Sequence, residues 1–185
     1  QPPAIALAAA SMDLGIKAVV VLSGLTDKLR HQTQQRINRD LLKDRGEFFS
    51  PTSGGDLTRY RPGHPDSERE WSILKDAASR HLASNEVNRL VLVVKKHIAP
   101  LAGTRELLEH LQRNELLGEQ PVLIIDDECD HASANSRSEL WDGTPRVRAS
   151  EVHKSIVGIR TSIHSVFWGY TATPQAQIFM HPDER

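Results

Sequence analysis

Residues 122–133, VLIIDDECDHAS, constrain the fold more than any other part of the chain. An unbroken apolar run, residues 122–125, follows Pro121 and leads straight into acidic residues. A short apolar run without polar alternation is the pattern of a strand buried on both faces, as in a parallel sheet. Carboxylates at the end of such a strand are costly to bury unless a cation or hydrogen-bond donors meet them. The stretch therefore predicts an α/β fold with a mainly parallel sheet and with acids delivered to the carboxyl ends of its strands. The plain alternative is a strand that ends in a solvated acidic turn.

The rest of the chain supplies partners for such a strand. The Ala-rich run AIALAAASMDL, residues 4–14, has high helix propensity, and Gly15 is a natural stop. AVVVLS, residues 18–23, is a β-branched strand ended by Gly24. Thr26 or Asp27 can cap the next helix, whose apolar face would use Leu29, Ile37, Leu41 and Leu42 and reach about Lys43. Trp71, Leu74, Ala78 and Leu82 recur at helical spacing before the strand RLVLVV, residues 89–94. Leu107, Leu108 and Leu111 mark a helix closed near Gly118. Val152, Ile156, Ile159 and Ile163 mark another, and SVFWGY, residues 165–170, is a last strand before a Thr-rich turn that Pro174 restricts. Residues of about 45–67 and 135–150 are rich in Gly, Pro, Ser and charge and read as loops. In parallel sheets ligands bind at the carboxyl ends of the strands. Every polar cluster that stands out lies there: residues 23–26, 95–97, 126–130 and 171–173.

A chain of 185 residues fits one domain with one substantial core. Lys and Arg total 23 against 24 for Asp and Glu, so no global basic field announces nucleic acid or a membrane surface, and any polyanion is bound locally. Cys129 is the one cysteine, which excludes an internal disulfide and suits a reducing cytoplasm. No apolar run approaches the roughly 20 residues of a spanning helix, and the expectation is a cytoplasmic protein without membrane contact. Cys129, His97, His131 and His153 lack the spacing of a structural zinc site.

Several stretches resemble known motifs. D-E-C-D at residues 127–130 resembles the D-E-x-D box of superfamily-two helicases and translocases, and T-A-T-P at 171–174 resembles their motif coupling hydrolysis to movement. Residues 19–37, VVVLSGLTDKLRHQTQQRI, resemble the strand-loop-helix segment that contacts nucleic acid. More closely, G-L-T-D-K-L-R-H-Q-T-Q (24–34), V-V-K-K (93–96), D-D-E-C-D-H-A-S (126–133) and W-G-Y-T-A-T-P (168–174) resemble the Z-one domain family. Its members are bacterial proteins described as endonucleases with a helicase-like ATPase core, some associated with phage defence or restriction-type systems.

The resemblance implies a RecA-like (P-loop NTPase type) three-layer sandwich, the N-terminal lobe of an ATP-driven, nucleic-acid-dependent translocase acting on DNA. Its cofactors would be ATP and Mg²⁺. Asp127 would hold Mg²⁺ through water, with Glu128 beside it orienting or deprotonating the attacking water. Asp126 would support them, and Asp130, Thr171 and Thr173 would belong to the cofactor side of the site. Arg30, Gln32, Thr33 and Gln34 would donate to a phosphate backbone without reading bases. Lys95 and Lys96 would touch either nucleic acid or a nearby acid, although for two adjacent lysines a plain exposed turn is the simpler expectation.

One departure limits this reading. No G-x-x-x-x-G-K-[ST] string occurs in the sequence, and by the resemblance Gln1 lies where that loop would end. The chain therefore reads as a partial lobe with little ATPase activity alone, completed in a longer protein by a P-loop segment and a second motor lobe. Two other readings use the same residues: a helicase-like fold that has lost hydrolysis and binds nucleic acid or a partner, and a metal-dependent endonuclease acting through the same acids.

Overall fold

The structure is a computed structural model that describes residues 3–43, 45–51, 65–127, 137–141, 144–148 and 150–170. The chain opens with helix α1 (Pro3–Asp13), which ends as its alanine-rich sequence predicts. Gly15, at φ 86°, makes the turn that only glycine adopts without strain. Strand β1 (Ala18–Ser23) follows, buried at every position. Helix α2 (Asp27–Ile37) is capped by the Thr26 hydroxyl, which accepts from the Leu29 N–H at 3.3 Å. The helix predicted to run to about Lys43 changes after Ile37 into a π-helical turn, Asn38–Leu42.

The two-residue strand β2 (Phe48–Phe49) lies inside the stretch read from sequence as a loop. Helix α3 (Pro65–Ser84), strand β3 (Arg89–Lys95), helix α4 (Ile98–Arg113) and strand β4 (Val122–Asp127) come next. Residues 135–150, also expected to be a loop, contain the antiparallel strands β5 (Arg137–Trp141) and β6 (Thr144–Arg148). The correction has a physical basis, since Asp142 and Gly143 between them form the dipeptide that favours a tight hairpin turn. Helix α5 (Glu151–Ser162), capped by Ser150, and strand β7 (Ser165–Tyr170) complete the described chain.

The main sheet has the order β2-β3-β1-β4-β7, with every neighbouring pair parallel. Helices cover both faces. Trp71, Leu74 and Ala78 of α3, Leu101, Leu107 and Leu108 of α4, and Ile156 and Ile159 of α5 pack on the face formed by Val20, Leu22, Leu92 and Ile124. Ile5, Ala8 and Met12 of α1, with Ile37 and Leu41, pack on the opposite face formed by Val19, Val21, Val91 and Ile125. This is an α/β architecture in which a fully enclosed β1 is the axis. Burying each large aliphatic side chain contributes roughly 1.5–3 kcal/mol, and the doubly covered strands concentrate that term at the centre of the sheet.

Leu92 lies at the middle of β3 with no exposed surface. Leu92→Ala is expected to lower stability by about 2–5 kcal/mol, read as a lower urea midpoint with an unchanged slope. A neutral effect would show that this core is looser than its burial indicates.

Candidate functional site

Five parallel strands bring their carboxyl ends to one edge of the sheet. Ser23, the last residue of β1, is paired with Lys95 of β3, while Asp126 and Asp127 of β4 lie opposite Gly169 and Tyr170 of β7. The polar residues at the ends of β1, β3 and β4 are thus neighbours, as the sequence pattern predicts. Glu128, Asp130, Thr171 and Thr173 lie outside the described residues.

At the centre of the edge is an ion pair. Lys96 directly follows β3, Asp126 is the penultimate residue of β4, and β1 lies between the two strands. Lys96 Nζ stands 2.5 Å from Asp126 Oδ1 and donates to the Asp127 carbonyl oxygen at 2.7 Å. Both charged side chains have 0 % exposure. Removing either ion from water costs several kcal/mol, and the arrangement is tolerable because each meets the other at contact distance. The ammonium also ties the backbone of the residue that follows Asp126. Lys96 therefore fixes the end of β4 at two successive residues.

Side-chain alternation along β4 divides its two acids. Asp126 shares the face of Ile124, packed by α4, whereas Asp127 shares the face of Ile125, packed from the α1 and α2 side. Asp126 is committed to Lys96. Asp127, half-buried, is the acid that β4 carries to the edge on the other face. Mg²⁺ is commonly held by one or two carboxylates while keeping several waters and a ligand's phosphate oxygens. Asp127 fits that mode of binding. A protein cage is a different matter, because among the described residues no group of three or more His, Cys, Asp or Glu side chains gathers to hold a metal.

Lys95 and Lys96 do not form the plain exposed turn expected of adjacent lysines: their side chains are 18 % and 0 % exposed, and each meets an acid. Lys95 Nζ lies 2.9 Å from Asp27 Oδ1, joining the end of β3 to the first turn of α2. The hydrogen bond from Lys95 holds the Asp27 carboxyl below its usual range, against a smaller opposing effect of desolvation, with the electrostatic influence of Lys95, Arg30 and His31 adding to the lowering. Ser23 Oγ donates to the Val94 carbonyl at 3.1 Å and is fully buried, so it also serves the strand ends.

The donors predicted along α2 divide by burial. Gln32 is exposed and Thr33 is half-buried, so both remain accessible for a phosphate backbone. Arg30 and Gln34 are buried, at 1 % and 2 % exposure, and face the interior. Gln34 Nε2 donates to Asn38 Oδ1 at 3.0 Å and to Ser50 Oγ at 2.9 Å, tying α2 to the chain after β2. The expected row of solvent-facing donors is therefore interrupted by the helix's own period: residues four apart fall on one face, and here that face is the inner one.

Sequence reasoning missed the enclosure of Lys96. The signal was available in the pattern, because the apolar runs of β3 and β4 end in opposite charges, Lys at one and Asp at the other. A separate groove between α3 and α4, lined by Ser79, Arg80, His110 and Asn114 among others, lies where α4 returns toward the start of β4, at the other edge of the sheet.

Lys96→Met leaves the Asp126 carboxylate buried without its cation and is expected to cost about 3–5 kcal/mol in urea unfolding. Adding Asp126→Val is expected to restore most of that loss, and a double variant as unstable as the single one would contradict the pairing. For Lys95–Asp27, a lowered folded-state pKa means stability that is present above the unfolded pKa and lost as pH falls through the folded one. The advantage of the native chain over Asp27→Asn, about 0.2–1 kcal/mol for so exposed a pair, should be full at neutral pH and vanish on acidification past the ordinary Asp range. No protein-family model, curated protein or solved structure matches this chain.

Proposed function

We propose that this chain is part of the N-terminal RecA-like lobe of an ATP-hydrolysing, nucleic-acid-dependent translocase of the Z-one type. The observation that carries the reading is the placement of the acidic stretch. Its strand β4 stands between β1 and β7 in an all-parallel sheet and ends, with its carboxylates, at the edge where α/β sheets bind ligands. The motif resembling the D-E-x-D box starts at Asp127, and the T-A-T-P string directly follows β7, the strand hydrogen-bonded to β4. Two motifs that would act together are thus carried by adjacent strands.

In this reading Asp127 binds the cation side of a Mg²⁺–nucleotide complex, and Mg²⁺ supplies neutralisation of the phosphate charge when bound. Glu128 accepts a proton from the attacking water or orients it. Lys96 contributes from behind, holding the backbone of Asp127 so that the acids enter the site at a fixed height. Gln32 and Thr33, on the accessible side of α2, are the candidates for contact with a phosphate backbone. The P-loop that would grip the nucleotide phosphates is assigned to sequence beyond these 185 residues, since no matching string lies within them.

ATP hydrolysis by the complete gene product, with and without single- and double-stranded DNA, tests the reading. DNA-stimulated turnover is expected, and Glu128→Gln is expected to reduce it on the order of 10²–10⁴-fold with nucleotide binding retained. No hydrolysis by well-folded protein under any of these conditions would favour a binding module instead. Mg²⁺-dependent DNA cutting without ATP that disappears in Glu128→Gln would favour the nuclease reading.

A further inference from the structure

Residues 94–97 join the two faces of the sheet at its carboxyl edge. Along β3, Leu90, Leu92 and Val94 pack with α3, α4 and α5, while Val91 and Val93 pack with α1 and Ile37. Alternation therefore sends Lys95 to the α2 side and Lys96, one residue on, to the other. The contacts follow that division. Lys95 Nζ meets Asp27 in the first turn of α2, and Lys96 Nζ meets Asp126, which shares the face of Ile124. The backbone between the two ammonium groups has little freedom. Ser23 Oγ donates to the Val94 carbonyl at 3.1 Å, and the His97 N–H donates to the Lys95 carbonyl at 2.7 Å, closing a tight turn around Lys96. The His97 carbonyl in turn accepts from the Leu101 N–H in the first turn of α4.

The two ends of this chain of contacts differ in access. The Asp27 side chain is 63 % exposed, whereas Lys96 and Asp126 are enclosed. The series Asp27, Lys95, Lys96, Asp126 thus starts on the surface of α2 and ends beneath Asp127, whose carbonyl oxygen accepts from Lys96 Nζ at 2.7 Å. Gln32 and Thr33, the accessible donors of α2, follow Asp27 by about 8 Å along the helix. That separation matches the roughly 8 Å over which charges act at physiological salt. A phosphate held at Gln32 and Thr33 therefore repels the Asp27 carboxylate and competes with it for the Lys95 ammonium. Lys96 cannot stay indifferent to such a change, because its pair with Asp126 is desolvated and resists separation.

We propose that the Lys95–Lys96 dipeptide is a coupling element through which a phosphate backbone on α2 controls the acids at the end of β4. In the tied state, the one this structure contains, Asp27 holds Lys95. In the released state Lys95 turns from Asp27 to a phosphate, and the tight turn at residues 95–97 passes the change to Lys96 and so to the backbone of Asp127. Asp27 is then a positioning residue, acting on the acidic stretch through the two lysines. Linkage makes the effect reciprocal: whatever fixes the acids also favours one partner for Lys95. The proposal rests on the hydrolysis reading for the identity of the two ligands, but the link from Asp27 to Asp127 rests on geometry alone.

Two measurements on the complete gene product test it. In hydrogen exchange read by mass spectrometry, without DNA or ATP, Asp27→Asn is expected to speed exchange in residues 122–127 and to leave α1 unchanged. In a Lys96→Met/Asp126→Val background, where the link is cut, the same substitution should no longer affect residues 122–127. Unchanged exchange in 122–127, equal acceleration in both backgrounds, or acceleration shared with α1 would each overturn the coupling. In ATP hydrolysis with and without single-stranded DNA, Asp27→Asn is expected to raise the DNA-free rate, so that the ratio of stimulated to unstimulated turnover falls by a factor of about 5 or more. Asp27→Glu should restore the ratio. Two rates that fall together, with the ratio kept, would mark a merely structural residue and overturn control by phosphate. A native gene product that hydrolyses no ATP would defeat the hydrolysis reading, and the exchange experiment would still decide the link.

Discussion

Parallel pairing is the constraint from which the rest of this structure follows. Parallel neighbours cannot be joined by a tight turn, so each connection must travel back along the sheet, and here each does so through a helix. The helices need apolar faces to pack on, which requires strands that are apolar on both sides. Val19, Val20, Val21 and Leu22 in β1 meet that demand completely, and β1 accordingly has helices above and below it. The same direction of travel places all carboxyl ends together, and it is the reason that Ser23, Lys95, Lys96, Asp126 and Asp127 are neighbours although they come from distant parts of the chain.

Within that edge, polar groups are used in two different ways. Ser23, Lys96, Arg30, Gln34 and Asp126 are enclosed, and those with assigned partners join one strand end or helix to another. Gln32, Thr33 and Asp127 keep surface. A row of polar residues in sequence is therefore not a row of equivalent ligand contacts: part of it holds the edge together so that the remainder is presented in a fixed arrangement. Lys95 with Asp27 is intermediate, a half-buried lysine meeting an exposed carboxylate.

Much of this was legible from sequence. The strands β1, β3, β4 and β7 are short apolar or β-branched runs, and the helices between them repeat their apolar residues with a helical period; both patterns survive in the fold because burial on two faces leaves little room for ambiguity. Phe48 and Phe49 were illegible as a strand because two residues have no period, and only their pairing with Arg89 and Leu90 defines β2. The hairpin of β5 and β6 was obscured by its polarity, since runs such as RSEL and TPRVR lack a continuous apolar face even though a turn signal joins them. The π-helical turn after Ile37 has no counterpart in a reading that assumes one helical period. At the candidate site, the convergence of strand ends could be read, but the division into enclosed and accessible residues could not. That division depends on which helix face and which strand face turn inward; Arg30 carries no local mark of it, and the sign of Lys96's enclosure lies in the distant run of β4, which ends in the opposite charge.

The pair formed by Lys96 and Asp126 also bears on how β4 finds its place. A strand written V-L-I-I has almost the same apolar character on both faces, so a shift of one residue against β1 would exchange like for like along most of its length. Asp126 ends that equivalence. In an alignment with β4 slid one residue toward the carboxyl edge, Ile125 would face the ammonium of Lys96, and the carboxylate of Asp126 would be turned toward the α1 and α2 side without it. A single charged contact at the end of the strand thus separates the native alignment from this one, which the apolar residues leave nearly degenerate with it, and acts as a registration mark against a forward slip of the ladder.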